Sequence, residues 1–166
     1  MYKIDILRLS GADAAKKSGY NHDMNKDLYN YPLERNAVSA LLKEHGITPT
    51  RQRIEIAQHL FQKQQHLSAE HILESVNALS HHVSRATVYN TMGLFASKGI
   101  VREVKVDRER VFYDSNNRQH YHIYNMDTGE LSDVEGTADI GVTNLPGLPE
   151  GFRIVDTEVV IKVSKK

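Results

Sequence analysis

Two histidines and two aspartates in the C-terminal half of the chain have the types and spacing of metal ligands. His120 and His122 are two residues apart, which places both imidazoles on one face of a β-strand. Asp114 and Asp133 lie on either side of this pair. Imidazole nitrogens together with carboxylate oxygens suit zinc, manganese or ferrous iron. The pattern predicts a divalent-metal site, although two solvent-exposed histidines on a strand would give the same spacing.

The same donor set could hold a hydrolytic metal that activates a water molecule, which would make the protein an enzyme. However, the sequence offers no accompanying nucleophile, oxyanion donor or Gly-rich phosphate loop. The chain also has no cysteine, which excludes disulfides, thiolate zinc sites and thiol nucleophiles. We therefore predict that the protein is not an enzyme, and catalytic turnover by the purified protein would contradict this.

Three strands are predicted around and after the histidine pair. Tyr121–Met126 and Glu130–Glu135 alternate like the strands of a hairpin, and Phe152–Val163 forms a third strand. A three-stranded sheet with an open edge is marginal when alone, so pairing with a second copy of the chain is expected. We predict a dimerisation and ligand-sensing domain over residues 114–166.

The preceding part of the chain is typical of a winged helix, that is, a helix followed at once by a hairpin. Ser84 can cap this helix, Gly99 can end it, and two β-prone runs then flank the charged turn 106–109. The order of elements predicts an α+β fold with a winged-helix DNA-binding domain over residues 32–113. The three earlier helices are predicted at Leu33–His45, Thr50–Phe61 and Leu67–Leu79.

The helix that begins after Ser84 has one face for packing and one face for DNA. A period of 3.6 residues puts Val88, Thr91, Met92 and Phe95 on the packing face. Tyr89 and Asn90 lie opposite, where they would face bases, whereas arginines would lie nearer to phosphates. The predicted DNA-binding residues are Arg51, Arg53, Arg85, Thr87, Tyr89, Asn90 and Arg108.

The arrangement of charge agrees with a nucleic-acid partner in the middle of the chain. Residues 33–112 hold 11 Lys and Arg against 8 Asp and Glu, whereas residues 113–166 hold 5 against 9. Arg51 and Arg53 stand in the first turn of a predicted helix, where the helix dipole disfavours cations, so an external phosphate would offset that cost. The alternative for the two arginines is that they are simply exposed to solvent. The alternative for the domain as a whole is a winged helix that binds protein instead of DNA.

The first 31 residues are predicted to form an N-terminal arm, either extended or docked as a short strand on a sheet edge. Charged residues interrupt the apolar ones here, so there is no signal-peptide pattern. The chain also has no apolar run as long as a membrane span, and we expect a cytoplasmic protein that does not bind a membrane.

The run SRATVYNTMGLFASKGIVREV, from Ser84 onward, resembles the recognition helix and wing of the ferric uptake regulator family. TPTRQR at Thr48 and HLSAEHIL at His66 are also similar, and the resemblance extends from about Leu33 to the C-terminus. It implies a homodimer that binds a double-stranded DNA operator. Residue by residue, it implies a regulatory metal site between the two domains formed by His66, Asp114, His120, His122 and Asp133.

Departures from the family pattern suggest one of its branches. Asn125 and Thr128 stand where relatives carry their first CxxC pair, so the structural zinc site formed by four cysteines is absent. This loss and the closing run LPEGFRIVDTEVVIKVSKK make the chain similar to the iron response regulator branch, although Tyr121 interrupts its usual three-histidine run.

In that branch haem, bound partly through the residues matching His120 and His122, is the iron signal. The resemblance thus implies a regulator of iron and haem homeostasis, with haem or a divalent iron, manganese or zinc ion as effector. A peroxide-sensing or an iron- or manganese-sensing repressor of the same family is the alternative.

Overall fold

The computed structural model describes residues 31–79, 83–116, 120–134, 147–152 and 158–166. The predicted N-terminal arm lies outside these residues except for Tyr31, whose ring stacks on Phe61 with centroids 6.4 Å apart. Within the described ranges, no helix combines the length and the apolar character needed to cross a membrane.

Four helices form within the ranges that the sequence predicts, and in the last of them the cap and the apolar face both agree with the prediction. Ser84 accepts a hydrogen bond from the Thr87 N–H at 3.1 Å, and Gly99 follows the helix at a φ of 70°. The four residues predicted for the packing face of this helix are all buried. The helices are α1 (Arg35–Glu44), α2 (Arg51–Leu60), α3 (Ala69–Ala78) and α4 (Arg85–Ser97).

The predicted start of the third helix at Leu67 is wrong by two residues. Residues His66–Ser68 instead form a short strand, β1, and the helix begins at Ala69. Ser68 has extended backbone angles and caps α3 by accepting from the His71 N–H. Pairing with a strand much further along the chain determines this boundary, and such pairing leaves no local signal in the sequence.

The first sheet has the strand order β1-β3-β2, where β2 is Arg102–Lys105 and β3 is Val111–Asp114. Both pairings are antiparallel, with Asp114 opposite His66 on one side and opposite Arg102 on the other. β2 and β3 are the predicted wing, and the Asp107 carboxylate closes their turn by accepting from the Glu109 and Arg110 N–H groups.

The second sheet has the order β5-β4-β6, formed by His122–Asn125 (β4), Leu131–Asp133 (β5) and Val160–Val163 (β6). β4 runs antiparallel to β5 and parallel to β6. The described part of β6 is much shorter than the predicted strand Phe152–Val163, because Phe152, Glu158 and Val159 are not in a strand and residues 153–157 lie outside the described ranges.

Successive residues of β3 face opposite sides of the wing and thereby join two hydrophobic clusters. Tyr113 belongs to the cluster built from the four helices, whereas Phe112 belongs to a second cluster with Tyr124 and Leu131 of the second sheet. Val104 of β2 has no exposed surface and lies in the second cluster. The wing is therefore packed between the helices and the second sheet.

Candidate metal centre and nucleic-acid interface

The structure brings five predicted ligand residues, drawn from both sheets, to one place. One nitrogen or oxygen atom from each residue lies within 4.8 Å of the corresponding atoms of all the others. The five residues are His66, Asp114, His120, His122 and Asp133. Their role as ligands stays a prediction, because the structure establishes their proximity only.

Strand register explains how residues so far apart in sequence meet. His66 faces Asp114 directly across β1 and β3, and His122 faces Asp133 across β4 and β5. Each sheet thus supplies one cross-strand pair, and His120 joins His122 from the residues just before β4. The imidazole rings of His120 and His122 are in edge contact, with centroids 4.4 Å apart, as their two-residue spacing predicts.

The carboxylate oxygens lie between the imidazoles. Nε2 of His66 is 2.9 Å from Oδ1 of Asp133, and Nε2 of His120 is 3.0 Å from both Oδ1 of Asp133 and Oδ2 of Asp114. Nε2 of His122 is 3.5 Å from the same Asp114 oxygen. The Asp114 and His122 side chains have no exposed surface, so these groups are removed from water.

Burial and opposite charge act against each other on the pKa values of this cluster. Burial lowers the pKa of His66, but the Asp114 and Asp133 carboxylates outweigh it and raise that pKa to about 9. Burial raises the pKa of Asp114, yet the imidazoles of His120, His122 and His66 hold it well below its usual range. The same opposition lowers the pKa of Asp133. Both carboxylates are therefore ionised at neutral pH.

Several of the converging atoms fit a cation better than they fit hydrogen bonds. Nε2 of His66, Nε2 of His122, Oδ2 of Asp114 and Oδ1 of Asp133 are buried, and none makes a hydrogen bond of normal geometry to the described residues. Buried polar atoms without hydrogen bonds are costly unless another ligand satisfies them. Three imidazole nitrogens and two carboxylate oxygens are donors suited to zinc, manganese or ferrous iron.

Asn116 supports both carboxylates and was not predicted. Its backbone N–H donates to Oδ1 of Asp114 at 2.7 Å, and its side-chain amide donates to Oδ2 of Asp133 at 3.3 Å. These bonds help to fix the orientation of both carboxylates, as partners of metal ligands commonly do. The contact to Asp114 is a local i to i+2 turn, which the sequence Asp-Ser-Asn could have suggested.

The exposed face of α4 carries the residues predicted to read DNA. Tyr89 is 42% exposed, Asn90 is exposed, and the Thr87 hydroxyl hydrogen-bonds that of Ser84. Arg85 stands in the first turn of the same helix with its side chain 66% exposed. A helix with an exposed aromatic hydroxyl, an amide and a cation near its N-terminal end is suited to the major groove.

Arg51 and Arg53 have partners inside the chain. Arg51 pairs with Glu55 at 2.8 Å, one turn along α2, and Arg53 donates to the Thr48 carbonyl at 2.9 Å. These contacts offset part of the unfavourable interaction with the helix dipole. Both side chains lie at the surface, and their contact with DNA stays a prediction.

The two arginines around the wing turn have different environments. Arg108 is exposed at the turn itself. Arg110 instead turns back, pairs with Asp107 at 2.8 Å and donates to the Tyr124 hydroxyl, with its guanidinium 5.2 Å from the Tyr124 ring centre. Arg110 therefore anchors the wing on the second sheet.

Glu70 was not predicted as a functional residue. It lies in the first turn of α3, and its carboxylate contacts both Arg85 and the Tyr89 hydroxyl on the exposed face of α4. An acidic residue in the first helical turn is explained locally by the helix dipole, so no feature of the sequence connects it with α4.

Comparison with known proteins supports the sequence resemblance. The model of the family described as the ferric uptake regulator family matches residues 44–162, which is most of the chain. The chain belongs to the ferric uptake regulator family. Its members are transcriptional regulators and not enzymes, in agreement with the prediction that this chain is not an enzyme.

Curated relatives within the family include peroxide-responsive repressors. The PerR protein of Staphylococcus aureus strain Mu50 is 31% identical over 96 residues, which is 58% of this chain and 65% of that protein. The PerR protein of Staphylococcus epidermidis is 29% identical over 110 residues, or 66% of this chain and 73% of that protein. The chain thus spans slightly less than two thirds of the length of the S. aureus relative.

Solved structures of the ferric uptake regulator family share this fold. The Pseudomonas aeruginosa ferric uptake regulator with manganese has a TM-score of 0.59 and 26% identity, covering 78% of this chain and 98% of that chain. The Vibrio cholerae regulator has a TM-score of 0.61, covering 76% and 98%, but at 21% identity it supports the fold alone. The predicted α+β class, with a winged-helix part followed by a small sheet, is confirmed.

In this family member, hydrogen bonds close the turn where the first pair of zinc cysteines is expected from the resemblance. Oδ1 of Asn125 accepts from the Asp127 and Thr128 N–H groups at 2.9 and 3.2 Å. Oδ2 of Asp127 accepts from the Lys165 N–H at 2.6 Å, which ties the turn to the residues after β6. Because the chain has no cysteine, this part of the sheet is held without thiolate ligands.

Proposed function

We propose that this protein is a dimeric, metal-responsive transcriptional regulator that binds a DNA operator. The observation that carries the proposal is the joint position of the five-residue His/Asp cluster and the wing. The cluster includes residues of both sheets, and the wing strand β3 contributes Asp114 to it. Membership of the ferric uptake regulator family supports the same interpretation.

The DNA-binding surface in this proposal is the exposed face of α4 together with nearby cations. Tyr89 and Asn90 are candidates for base contacts because they are exposed on the outer face of the helix, and the half-buried Thr87 near the start of the helix is a third candidate. The arginines carry no base-specific pattern here and would bind phosphates, which fix orientation without reading sequence. They are Arg51, Arg53, Arg85 and Arg108.

Control by an effector follows from where the candidate ligands lie. His66 precedes α3 on the helical side, whereas His120, His122 and Asp133 belong to the second sheet and the residues just before it. A divalent cation would supply coordination bonds that only this relative orientation of the two sheets allows. A ligand that prefers one orientation shifts the equilibrium towards it, and about 1.4 kcal/mol of preference changes operator affinity tenfold.

A homodimer is proposed because the second sheet is small and open. β5 and β6 are both edge strands of the described sheet. Ile161 and Val163 of β6 are 36% and 38% exposed, which leaves apolar surface beside an open edge. Pairing with a second copy would cover it, and the two-fold symmetry of a dimer predicts an inverted-repeat operator.

A divalent ion fits the cluster better than haem does. The ligand atoms of His120 and His122 already face the two carboxylates, and the His122 side chain has no exposed surface. A porphyrin could reach these nitrogens only after the cluster opened. The P. aeruginosa neighbour contains manganese and the named relatives respond to peroxide, so a metal-dependent sensor of manganese, iron or peroxide is our first choice.

Haem remains the specific alternative because the missing cysteines and the closing sequence are similar to the iron response regulator branch. In that case the protein would control iron and haem homeostasis through His120 and His122. The two choices differ in the effector that changes operator affinity, so one titration separates them.

The test uses the full chain and operators selected by it from random duplexes. Binding is measured while manganese, ferrous iron, zinc or haem is added, for the parent, for His120→Ala and for the control His71→Ala, which removes an exposed histidine outside the cluster. We expect the parent and His71→Ala to respond to a divalent metal and His120→Ala to lose most of the response. A response to haem alone would assign the chain to the haem-sensing branch, and no sequence preference under any condition would refute the proposal.

A further inference from the structure

The carboxylate of Glu70 holds two of the residues proposed to contact DNA. It accepts a hydrogen bond from the Tyr89 hydroxyl, and it lies 3.3 Å from a guanidinium nitrogen of Arg85. Arg85 and Tyr89 are one turn apart on the exposed face of α4, and Glu70 reaches them from the first turn of α3. The contact thus crosses between the two helices of the helix-turn-helix.

Glu70 is charged under the conditions in which the protein would bind DNA. The hydrogen bond from Tyr89 is the largest cause that lowers its pKa below the ordinary value, with a further contribution from Arg85. Its side chain is 49% exposed, so the negative charge faces solvent on the same surface as α4. Any duplex bound along α4 would therefore bring phosphates close to an ionised carboxylate.

The negative charge of Glu70 weakens binding to non-specific DNA more than it weakens binding to an operator. Non-specific binding depends almost entirely on phosphate contacts, so a nearby negative charge and a neutralised Arg85 weaken it directly. Operator binding also includes base contacts, which a correctly oriented Tyr89 can make. Tethering the hydroxyl to Glu70 restricts the Tyr89 side chain before DNA arrives and lowers the entropy that binding costs.

We propose that Glu70 is a specificity-determining residue: it orients Tyr89 and restrains Arg85, and thereby increases discrimination between the operator and other duplexes. This inference rests on the proposed DNA-binding function.

The first experiment compares Glu70→Gln with Glu74→Gln. Both substitutions remove one negative charge from an exposed position on α3, but only Glu70 contacts Arg85 and Tyr89. Affinities for the selected operator and for a scrambled duplex are measured over a range of salt concentrations. For Glu70→Gln we expect the affinity for the scrambled duplex to rise roughly three- to tenfold at low salt. The slope of log affinity against log salt concentration should steepen by about 0.9, because Arg85 becomes free to contact one phosphate.

The second experiment asks whether Tyr89 and Glu70 act as a unit. Glu70→Ala, Tyr89→Phe and the double variant are compared for the ratio of operator to scrambled affinity, with thermal unfolding to show that each is folded. If Glu70 acts by orienting the hydroxyl, each single variant lowers the ratio and the double variant lowers it little further.

The outcomes separate this inference from the proposed function. A parent that prefers no duplex would refute both. A parent that discriminates, while Glu70→Gln and Glu74→Gln behave alike, would show a general charge effect and overturn the role of Glu70 alone. Fully additive losses in the double variant would also overturn it, because they exclude a shared Tyr89–Glu70 contact as the cause.

Discussion

His66 and Asp133 belong to different sheets, yet Nε2 of the histidine lies 2.9 Å from Oδ1 of the aspartate. The histidine is the first residue of β1 and the aspartate is the last residue of β5. This approach depends on how the two sheets are oriented relative to each other. A ligand bound by both residues would therefore bind best in this orientation of the wing relative to the second sheet, and would stabilise it.

We expect Asp133→Asn to weaken divalent-metal binding by at least about tenfold, because it replaces an anionic ligand with a neutral amide of similar size. The metal-dependent change in operator affinity should shrink with it, since the differential binding energy is smaller. Asp133 is 30% exposed at its side chain, so the variant should fold. Isothermal titration with manganese and operator binding under the same conditions measure both effects.

Glu130→Gln is the matched control for that prediction. It removes one negative charge just before β5, but Glu130 is not among the clustered residues and its carboxylate accepts from the Thr128 hydroxyl. Equal losses of metal affinity in the two variants would indicate a general effect of charge and would contradict the role of Asp133 as a ligand.

Arg108→Ala should weaken binding to all duplexes and reduce the slope of log affinity against log salt by about 0.9, the value for one phosphate contact. Arg108 lies exposed at the wing turn, where a phosphate could reach it. Sequence preference should stay unchanged, since phosphates carry no base identity. The control is Lys162→Ala, which makes the same change of charge on β6 of the other sheet and should leave the salt slope unchanged. If Lys162→Ala reduced the slope as much as Arg108→Ala does, a phosphate contact at the wing would be contradicted.

Local sequence signals were sufficient for the helices and for part of the candidate site. The cap at Ser84 and the buried face of α4 follow from residue spacing, and the two-residue spacing of His120 and His122 predicts that their rings meet. The cluster as a whole could not be derived this way. His66 joins it through pairing of β1 with β3, and its candidacy came from the family resemblance.

The position of the wing also depends on long-range packing. Alternation along β3 predicts that Phe112 and Tyr113 face opposite sides, but it does not identify what lies on each side. The structure supplies Tyr124 as the neighbour of Phe112 and as the acceptor for Arg110. A charged residue next to a wing turn suggests DNA contact from sequence, and only the fold shows that Arg110 has an internal partner.

Tyr124→Phe should destabilise the protein by about 0.5–1 kcal/mol, because the Arg110 guanidinium loses its hydroxyl acceptor but keeps Asp107 and access to water. The ring is almost fully buried and would stay in place, so no cavity is expected. Urea unfolding should show a lower midpoint with an unchanged m-value. Tyr121→Phe removes a hydroxyl that makes no hydrogen bond to the described residues, and it should unfold like the parent; equal destabilisation would contradict the anchoring role of Tyr124.

Asn125→Ala should lower the free energy of unfolding by about 1 kcal/mol, because the Asp127 and Thr128 N–H groups lose their shared acceptor. Asn125→Asp keeps an oxygen at the same place and should retain most of that stability. The difference between the two variants should be the same with and without a metal chelator, since hydrogen bonds and not thiolates close this turn. A difference that appears only when metal is present would instead show that the turn depends on a bound ion.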